Sequence, residues 1–208
     1  NKIDGANITV AYYEQHGIVV ASRNNVGYKD GDYVRFPVNN ADRTPKLDAE
    51  GKQVTETRFN DAVEYILHRD GILTLIYSGW ILRGEFMVKH SVLYRPDVYQ
   101  NLYVFDVEDH YGNYISPDIW MPKCDELQVK YIPVLVRLNK PTVDQLVALT
   151  QGPDEFGAPQ KEGIVVKRYV GWANKYGRAT WGKIISRDFE EKNRLTFGAR
   201  ADAPLELR

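Results

Sequence analysis

The chain has 208 residues, of which 43% are hydrophobic and 26% charged, and this composition predicts a packed core rather than a disordered chain. A formal net charge of −1 excludes a global basic signature for nucleic acid, so any basic surface must be local. The single cysteine, Cys124, excludes an internal disulfide, and cysteines and histidines are too few for a structural zinc site.

The first part of the chain is predicted to begin with a hairpin. Residues 8–13 and 17–21 are rich in β-branched and aromatic side chains and are separated by a short polar segment. The polar residues 39–56 are predicted to form an exposed loop. Residues 57–68 carry apolar side chains at helical spacing, and Asp70-Gly71 is predicted to end that helix.

The rest of the chain is dominated by strand-like runs. These runs cover residues 72–77, 80–88, 102–107, 127–138, 163–170 and 179–186. Thr142 caps a predicted helix that extends to residue 151, with Gln145 at the capping-box position. Residues 152–163 read as a loop, and the charged tail from Arg187 is predicted to begin as a short helix. Many strands with few, scattered helices predict an α+β domain with mostly antiparallel sheets.

The start of the sequence contains a candidate nucleophile, in Lys2-Ile3-Asp4-Gly5. A lysine can attack a phosphorus centre only when its amine is neutral, which neighbouring cations and desolvation favour. Taken alone, a solvated lysine at a chain end beside a turn explains this segment better.

Two central strands carry residues that suit a nucleotide. Glu85 follows Arg83-Gly84 inside an apolar strand, where a carboxylate needs a partner or a ligand, and an ion pair with Arg83 or Lys89 is the simpler explanation. Phe105-Asp106 lies at a strand end, where the ring could stack on a base, although such a ring is more often part of the core.

Two late strands carry acid and base in a pattern that suits phosphate and a cation. Glu162 could hold a hard cation, Gly163 allows close approach of a ligand, and Lys167 could meet phosphate. Lys183 lies within a further strand, where a lysine often only extends its ammonium to solvent. Each of these segments alone is explained as well by structure as by function.

In their order along the chain, these five segments resemble motifs I, III, IIIa, IV and V of the covalent nucleotidyltransferases, the superfamily of DNA ligases, RNA ligases and mRNA-capping enzymes. The resemblance covers residues 1 to 186. DNA ligases and capping enzymes typically carry an arginine shortly after Lys-x-Asp-Gly, whereas this chain has Ala6-Asn7. An asparagine there is similar to the RNA ligase 2-like group of ATP-dependent RNA ligases. Arg23 falls where motif Ia supplies an arginine.

The resemblance implies a three-step reaction. Lys2 would attack the α-phosphorus of ATP, expel pyrophosphate and hold AMP as a phosphoramidate. The AMP would pass to the 5′-phosphate of RNA, and a 3′-hydroxyl would then displace it and seal the ends. Lys167 and Lys183 would neutralise the triphosphate, which lowers the barrier as charge builds during transfer.

The resemblance also assigns the remaining binding residues. Asp4 and Asn7 would position phosphate or metal-bound water, and Arg23 would contact ribose or RNA phosphate. At the nucleoside, Glu85 would bind the ribose hydroxyls and Phe105 would stack on adenine, with Asp106 beside it. Glu162 would help bind Mg²⁺ (or Mn²⁺), and Glu85 is a second candidate ligand for the metal.

The chain departs from this pattern in three ways. Motif V commonly has two lysines two positions apart, whereas here Trp181 precedes Lys183 and Ile185 follows it, so one cationic contact is absent or is supplied by Lys175, Arg178 or Arg187. The tail after motif V is too short for the additional domain with which ligases engage the polynucleotide. Strict strand alternation places Glu162 and Lys167 on opposite faces, so both reach one ligand only if the strand bends or ends between them.

We therefore expect residues 1–186 to form an adenylyltransferase domain that lacks some upstream residues, and residues 187–208 to form a short charged C-terminal tail. RNA ends that bear a 5′-phosphate and a 3′-hydroxyl are the expected partners, in RNA repair. We expect a monomer without a membrane partner, located in the cytoplasm (the host cytoplasm if the source is viral). A DNA ligase, a capping-type guanylyltransferase and a non-catalytic nucleic-acid-binding module are the alternatives.

Overall fold

The structure of the chain, a computed structural model, describes residues 1–23, 25–31, 33–89, 92–173 and 179–191, with the backbone alone at 169–173 and 179–180. The described residues form two compact units. The hairpin unit comprises those within Asn1–Gly5, Val88–Tyr99 and Ile132–Arg208, and the sheet unit comprises those within Ala6–Met87 and Gln100–Tyr131. Their antiparallel strands and few helices confirm the predicted α+β class.

The sheet unit contains a seven-stranded sheet in the order β5-β4-β3-β2-β1-β6-β7, in which every neighbouring pair is antiparallel. Its elements are β1 (Ala6–Tyr13), β2 (Gly17–Ala21), β3 (Val26–Asp30), β4 (Tyr33–Pro37), β5 (Thr55–Thr57), α1 (Asn60–Leu67), α2 (Asp70–Tyr77), β6 (Ile81–Phe86), β7 (Leu102–Glu108) and α3 (Pro117–Glu126). The hairpin predicted at residues 8–21 is confirmed as β1 and β2.

One face of this sheet is buried against helices. In β6, Leu82, Gly84 and Phe86 are buried and alternate with the more exposed Ile81, Arg83 and Glu85. Helix α2 contacts β1 and β6, and α1 contacts β7. Because side chains alternate along a strand, the residues between the buried positions of β6 lie on the opposite face of the sheet.

The strand predicted at residues 72–77 is wrong, because this segment is the helix α2. Its buried side chains are Ile72, Leu75 and Ile76, which is the spacing of one helix face. A short, continuous apolar run fits a buried strand and a buried helix equally well, so its sequence could not separate them. The helix predicted at residues 57–68 is confirmed as α1, which begins three residues later, at Asn60.

The strand predicted at residues 127–138 is also wrong. This segment forms no strand, and its Tyr131 makes only an isolated bridge to Val104. Pro133 has no N–H to donate to a ladder, and Val134, Val136 and Leu138 are exposed. The preceding helix α3, which contains Pro122, and the strands β3, β4 and β5 were not predicted. Strand β5 takes up the last two residues of the predicted loop at 39–56.

The hairpin unit is built on a long antiparallel pair. Its elements are the 3₁₀ turn η1 (Pro96–Val98), α4 (Val143–Ala148), β8 (Gly163–Ala173) and β9 (Ala179–Ile185). The predicted capping box is confirmed, since the Thr142 side chain accepts from the backbone of Gln145 and the Gln145 side chain accepts from the backbone of Thr142. A helical turn at 187–191 follows β9, as predicted for the start of the tail. Among the described residues, no helix has the length and apolarity to cross a membrane.

Candidate active site

The segment that contains Lys2 is held in the hairpin unit by its backbone. The Lys2 amide donates to the Gly163 carbonyl oxygen at 3.0 Å, so Lys2 forms an antiparallel bridge with the first residue of β8. Ile3 beside it is 5% exposed, and the Asp4 amide donates to the Tyr94 hydroxyl at 2.8 Å. Lys2 is therefore part of an ordered strand edge, and the solvated, unstructured terminus that its sequence position suggested is not observed.

The Lys2 ammonium forms an ion pair and hydrogen bond with Oε1 of Glu162. Glu162 is 7% exposed, and its Oε2 atom is buried without a hydrogen-bond partner among the described residues. Burial raises the pKa of this carboxyl, while the positive charges of Lys2 and Lys183 oppose the rise. The structure thus places the candidate nucleophile against a buried carboxylate that has one unused acceptor atom.

Glu162 lies just outside strand β8, so strand alternation does not place it on the face opposite Lys167. Strand β8 begins at Gly163, one residue after Glu162, so the alternation of the strand does not fix the side of that carboxylate. Its contact with Lys2 fixes it instead. The idea that Glu162 and Lys167 reach one ligand stays a prediction.

Lys167 and Lys183 lie on one face of the β8–β9 pair. Lys167 is opposite Trp181, and Lys183 is opposite Val165 two residues away on β8, so alternation gives the two lysines the same face. The Lys167 ammonium lies 5.0 Å from the centre of the Trp181 ring, within the range of a cation–π contact. Trp181 therefore contacts one of the two lysines of this face.

Strand pairing in the sheet unit brings two of the predicted nucleotide contacts together. Asn7 on β1 is the register partner of Glu85 on β6, and Glu85 is in turn opposite Tyr103 on β7. Directly opposed residues of antiparallel strands have neighbouring side chains on one face. Asn7 and Glu85, which are far apart in sequence, are consequently adjacent.

Phe105 lies at an irregularity of the β6–β7 ladder. The register passes from Arg83 opposite Asp106 to Gly84 opposite Val104, which leaves Phe105 as the extra residue of a β-bulge. It is also the one partly exposed side chain of β7. A bulge re-aims a side chain, and this one explains why Phe105 is not simply part of the core.

Arg83, one of the two ion-pair partners suggested for Glu85, pairs with Glu108. Arg83 donates to both carboxylate oxygens of Glu108, at 2.7 and 3.1 Å. Burial alone would lower the pKa of Arg83, but the hydrogen bonds to Glu108 raise it above its ordinary value. Sequence gave no signal for this pair, because the two residues meet only through the register of β6 and β7.

The remaining predicted residues are more exposed or lie outside the described part. Arg23 is exposed in the turn between β2 and β3, and Arg187 is exposed at the start of the helical turn after β9. Lys175 and Arg178 lie outside the described residues. Within the described part of the chain, no group of three or more His, Cys, Asp or Glu side chains is arranged to hold a metal ion.

Two residues of the hairpin unit were not predicted from the sequence as parts of the site. Tyr94 supports the backbone of Asp4, and Asp154 is a buried carboxyl that is 6% exposed and has one oxygen without a partner in the described structure. Burial raises the pKa of Asp154. Neither residue lies in a recognisable motif, and only their proximity in the fold relates them to Lys2.

A lysine held against a buried carboxylate, with two more lysines on the neighbouring strand pair, suits an enzyme that handles an anionic substrate. The family model of RNA ligases matches residues 1–185 of the sequence. The chain therefore belongs to the RNA ligase family, and this membership indicates a ligase that acts on RNA. A search of curated proteins finds no match.

Proposed function

We propose that the chain is an ATP-dependent RNA ligase, or the adenylyltransferase domain of one, built on the nucleotidyltransferase fold and acting through a covalent lysyl-AMP at Lys2. The observation that carries the proposal is the anchored Lys2, whose backbone pairs with Gly163 and whose ammonium contacts Glu162. An ordered lysine on a strand edge is pre-positioned for in-line attack, which a lysine on a frayed end is not.

In the first step the Lys2 ammonium loses one proton to solvent. The neutral amine then forms a bond to the α-phosphorus of ATP and loses a second proton to solvent as it becomes the phosphoramidate. The bond from that phosphorus to the bridging oxygen breaks, and pyrophosphate leaves with the electron pair. Glu162 already contacts the ammonium and can stabilise it until the substrate arrives. Lys167 and Lys183, on one face of the β8–β9 pair, supply positive charge for the phosphates.

The carboxylate of Glu162 also fits Mg²⁺ or Mn²⁺. These ions prefer oxygen ligands and often use one or two carboxylates together with substrate phosphates. Oε2 of Glu162 is buried and has no partner among the described residues, so it offers such a ligand. When bound, the ion would supply further neutralisation of the phosphate charge.

The later steps and the nucleoside contacts follow the family pattern. AMP passes from Lys2 to an RNA 5′-phosphate, and a 3′-hydroxyl displaces it. Asn7 and Glu85 are adjacent on the face of the sheet unit that lies opposite the helices, and they are proposed to bind the ribose end of the nucleotide, with Glu85 as the second candidate metal ligand. Phe105, turned out by its bulge, is proposed to stack on adenine. Arg23 and Asp4 are proposed to contact phosphate.

The test is covalent labelling with ATP, GTP or NAD that carries the label on the phosphate retained in the nucleoside monophosphate. We expect label from ATP alone, and a mass increase of one AMP on Lys2. Lys2→Ala should abolish labelling, whereas Lys123→Ala should leave it intact, because Lys123 only pairs with Glu126 at 2.8 Å on helix α3.

Each competing function has its own outcome in this experiment. Label from GTP would indicate a capping-type guanylyltransferase, and label from ATP with sealing of nicked DNA but not RNA would indicate a DNA ligase. Equal labelling of wild type and Lys2→Ala would contradict the proposed nucleophile. RNA binding that weakens with salt, without any covalent label, would indicate a non-catalytic binding module.

A further inference from the structure

The segment Asn1–Gly5 is fixed at two backbone amides on either side of Ile3. One bond, from the Lys2 amide to the Gly163 carbonyl, belongs to the bridge with β8. The other, from the Asp4 amide to the Tyr94 hydroxyl, comes from a side chain in a separate stretch of the same unit. Tyr94 has no place in the motifs from which the function was proposed, so the purpose of this second bond is a separate question.

Tyr94 is itself held firmly. It is 7% exposed, its ring meets the Tyr99 ring edge to face at 6.3 Å, and its amide donates to the Tyr99 hydroxyl at 2.9 Å. Burial raises the pKa of the Tyr94 phenol, and the negative charges of Asp154, Glu162 and Asp4 act in the same direction. The group that accepts from Asp4 is therefore a neutral hydroxyl whose position is set by packing.

The two anchors together restrict Lys2 in a way that one cannot. A single bond at the Lys2 amide leaves the chain beyond it free to rotate, and the direction of the lysine side chain changes with that rotation. A second bond at Asp4, with the buried Ile3 between them, fixes the backbone on both sides of the Lys2 carbonyl. Small displacements of a reacting group are costly, because attack needs aligned atoms at close distance.

We propose that Tyr94 is a positioning residue for the Lys2 nucleophile, acting through its hydrogen bond to the Asp4 amide. The inference rests on the proposed function, since it concerns the same step. In that step the nitrogen of Lys2 bonds to the α-phosphorus, pyrophosphate departs with the electron pair, and the nitrogen loses two protons to solvent, one before and one after the attack. Tyr94 takes part in none of these bond changes. It holds the segment from which Lys2 attacks.

The experiment measures the rate of covalent labelling of the whole chain against ATP concentration in single-turnover conditions, for wild type, Tyr94→Phe and Thr142→Ala. Tyr94→Phe keeps the ring and removes only the acceptor. We expect its maximal labelling rate to fall about ten-fold, with the half-saturating ATP concentration changed less than about two-fold. A role in binding ATP would instead change the half-saturating concentration.

Thr142→Ala is the control for stability. It removes the capping box of α4 in the same unit and leaves both the Asp4 bond and the Tyr94–Tyr99 contact in place. We expect it to unfold at a lower urea concentration than wild type and to label at nearly the wild-type rate. Equal rate losses in both variants would assign Tyr94 a merely structural role and overturn the proposal, as would an unchanged rate in Tyr94→Phe.

Amide hydrogen exchange at Asp4 tests the bond in the wild-type protein, so the proposal remains testable if Tyr94→Phe does not fold. We expect slow exchange at the Asp4 amide, and fast exchange there would overturn the inference. Different results would contradict the proposed function and the role of Tyr94. A wild-type protein that takes no label contradicts the proposed function, whereas a labelled wild type with an equally fast Tyr94→Phe contradicts only the role of Tyr94.

Discussion

Replacing Gly163 with alanine tests whether the backbone contact at the start of β8 is as close as the structure shows. A Cβ atom added at Gly163 would lie 2.2 Å from the Ile184 carbonyl oxygen and 3.0 Å from the Ile185 Cα. Both are backbone atoms of β9, so no side-chain rotation relieves the overlap. The φ of Gly163 is not in the left-handed region, and the whole cost therefore comes from this contact.

The expected magnitude follows from the kind of atom that is struck. Overpacking a core usually costs about 1–3 kcal/mol, and a clash with backbone belongs at the upper end, so we expect Gly163→Ala to lose about 3 kcal/mol of unfolding free energy. Because the Lys2 amide donates to the Gly163 carbonyl, the same change should also displace Lys2 and slow covalent labelling. Urea unfolding followed by circular dichroism measures the first effect, and labelling with ATP measures the second.

Gly182→Ala is the matched control on the facing strand. Apart from its chain neighbours, a Cβ at Gly182 would meet no described atom within 4 Å, and alanine loses less conformational freedom than glycine in a strand. We expect this variant to be as stable as wild type or more stable, by about 0.5 kcal/mol. If Gly163→Ala unfolds at the same urea concentration as wild type, the close approach of β8 and β9 is not present in solution and the reasoning fails.

Three further predictions concern other parts of the hairpin unit. Burial raises the pKa of Asp154, so the folded protein favours the protonated carboxyl and loses unfolding free energy as the pH rises and this group ionises. Asp154→Asn should therefore resist urea better than wild type at pH 7, and the difference should shrink as the pH falls toward 3.8. Thr142→Ala removes the capping box of α4 and should cost about 1 kcal/mol, while an unchanged unfolding midpoint would contradict the cap. Removal of divalent metal with a chelator should stop labelling of Lys2, and added Mg²⁺ or Mn²⁺ should restore it; labelling that persists in chelator would refute the proposed use of Glu162.

Several elements were predictable because their signals are local. The hairpin of β1 and β2, the helix α1 and the capping box of Thr142 and Gln145 each depend on residues close in sequence. Helix α2 was not predictable in this way, since its short apolar run has no distinctive period until one knows that Ile72, Leu75 and Ile76 face the core.

Some residues of the candidate site were also predictable from sequence, and others were not. The order of residue types along the chain was sufficient to identify Lys2, Glu85 and Glu162 as members of a family pattern, because such patterns are written in sequence. Sequence did not reveal Tyr94, whose only mark is a hydrogen bond to an amide far away in the chain. A hydroxyl that accepts from a distant backbone amide is not marked in the sequence by any periodicity or motif.

The sequence by itself determined the α+β class, the order of segments that resembles the ligase family, and the identity of the candidate nucleophile. The tertiary structure decided that Lys2 is an anchored residue on a strand edge, that its ammonium meets Glu162, and that Lys167 and Lys183 share a face. The physical reason is that composition and local spacing act within a few residues, whereas these contacts are made by strand register, which joins residues from opposite ends of the chain.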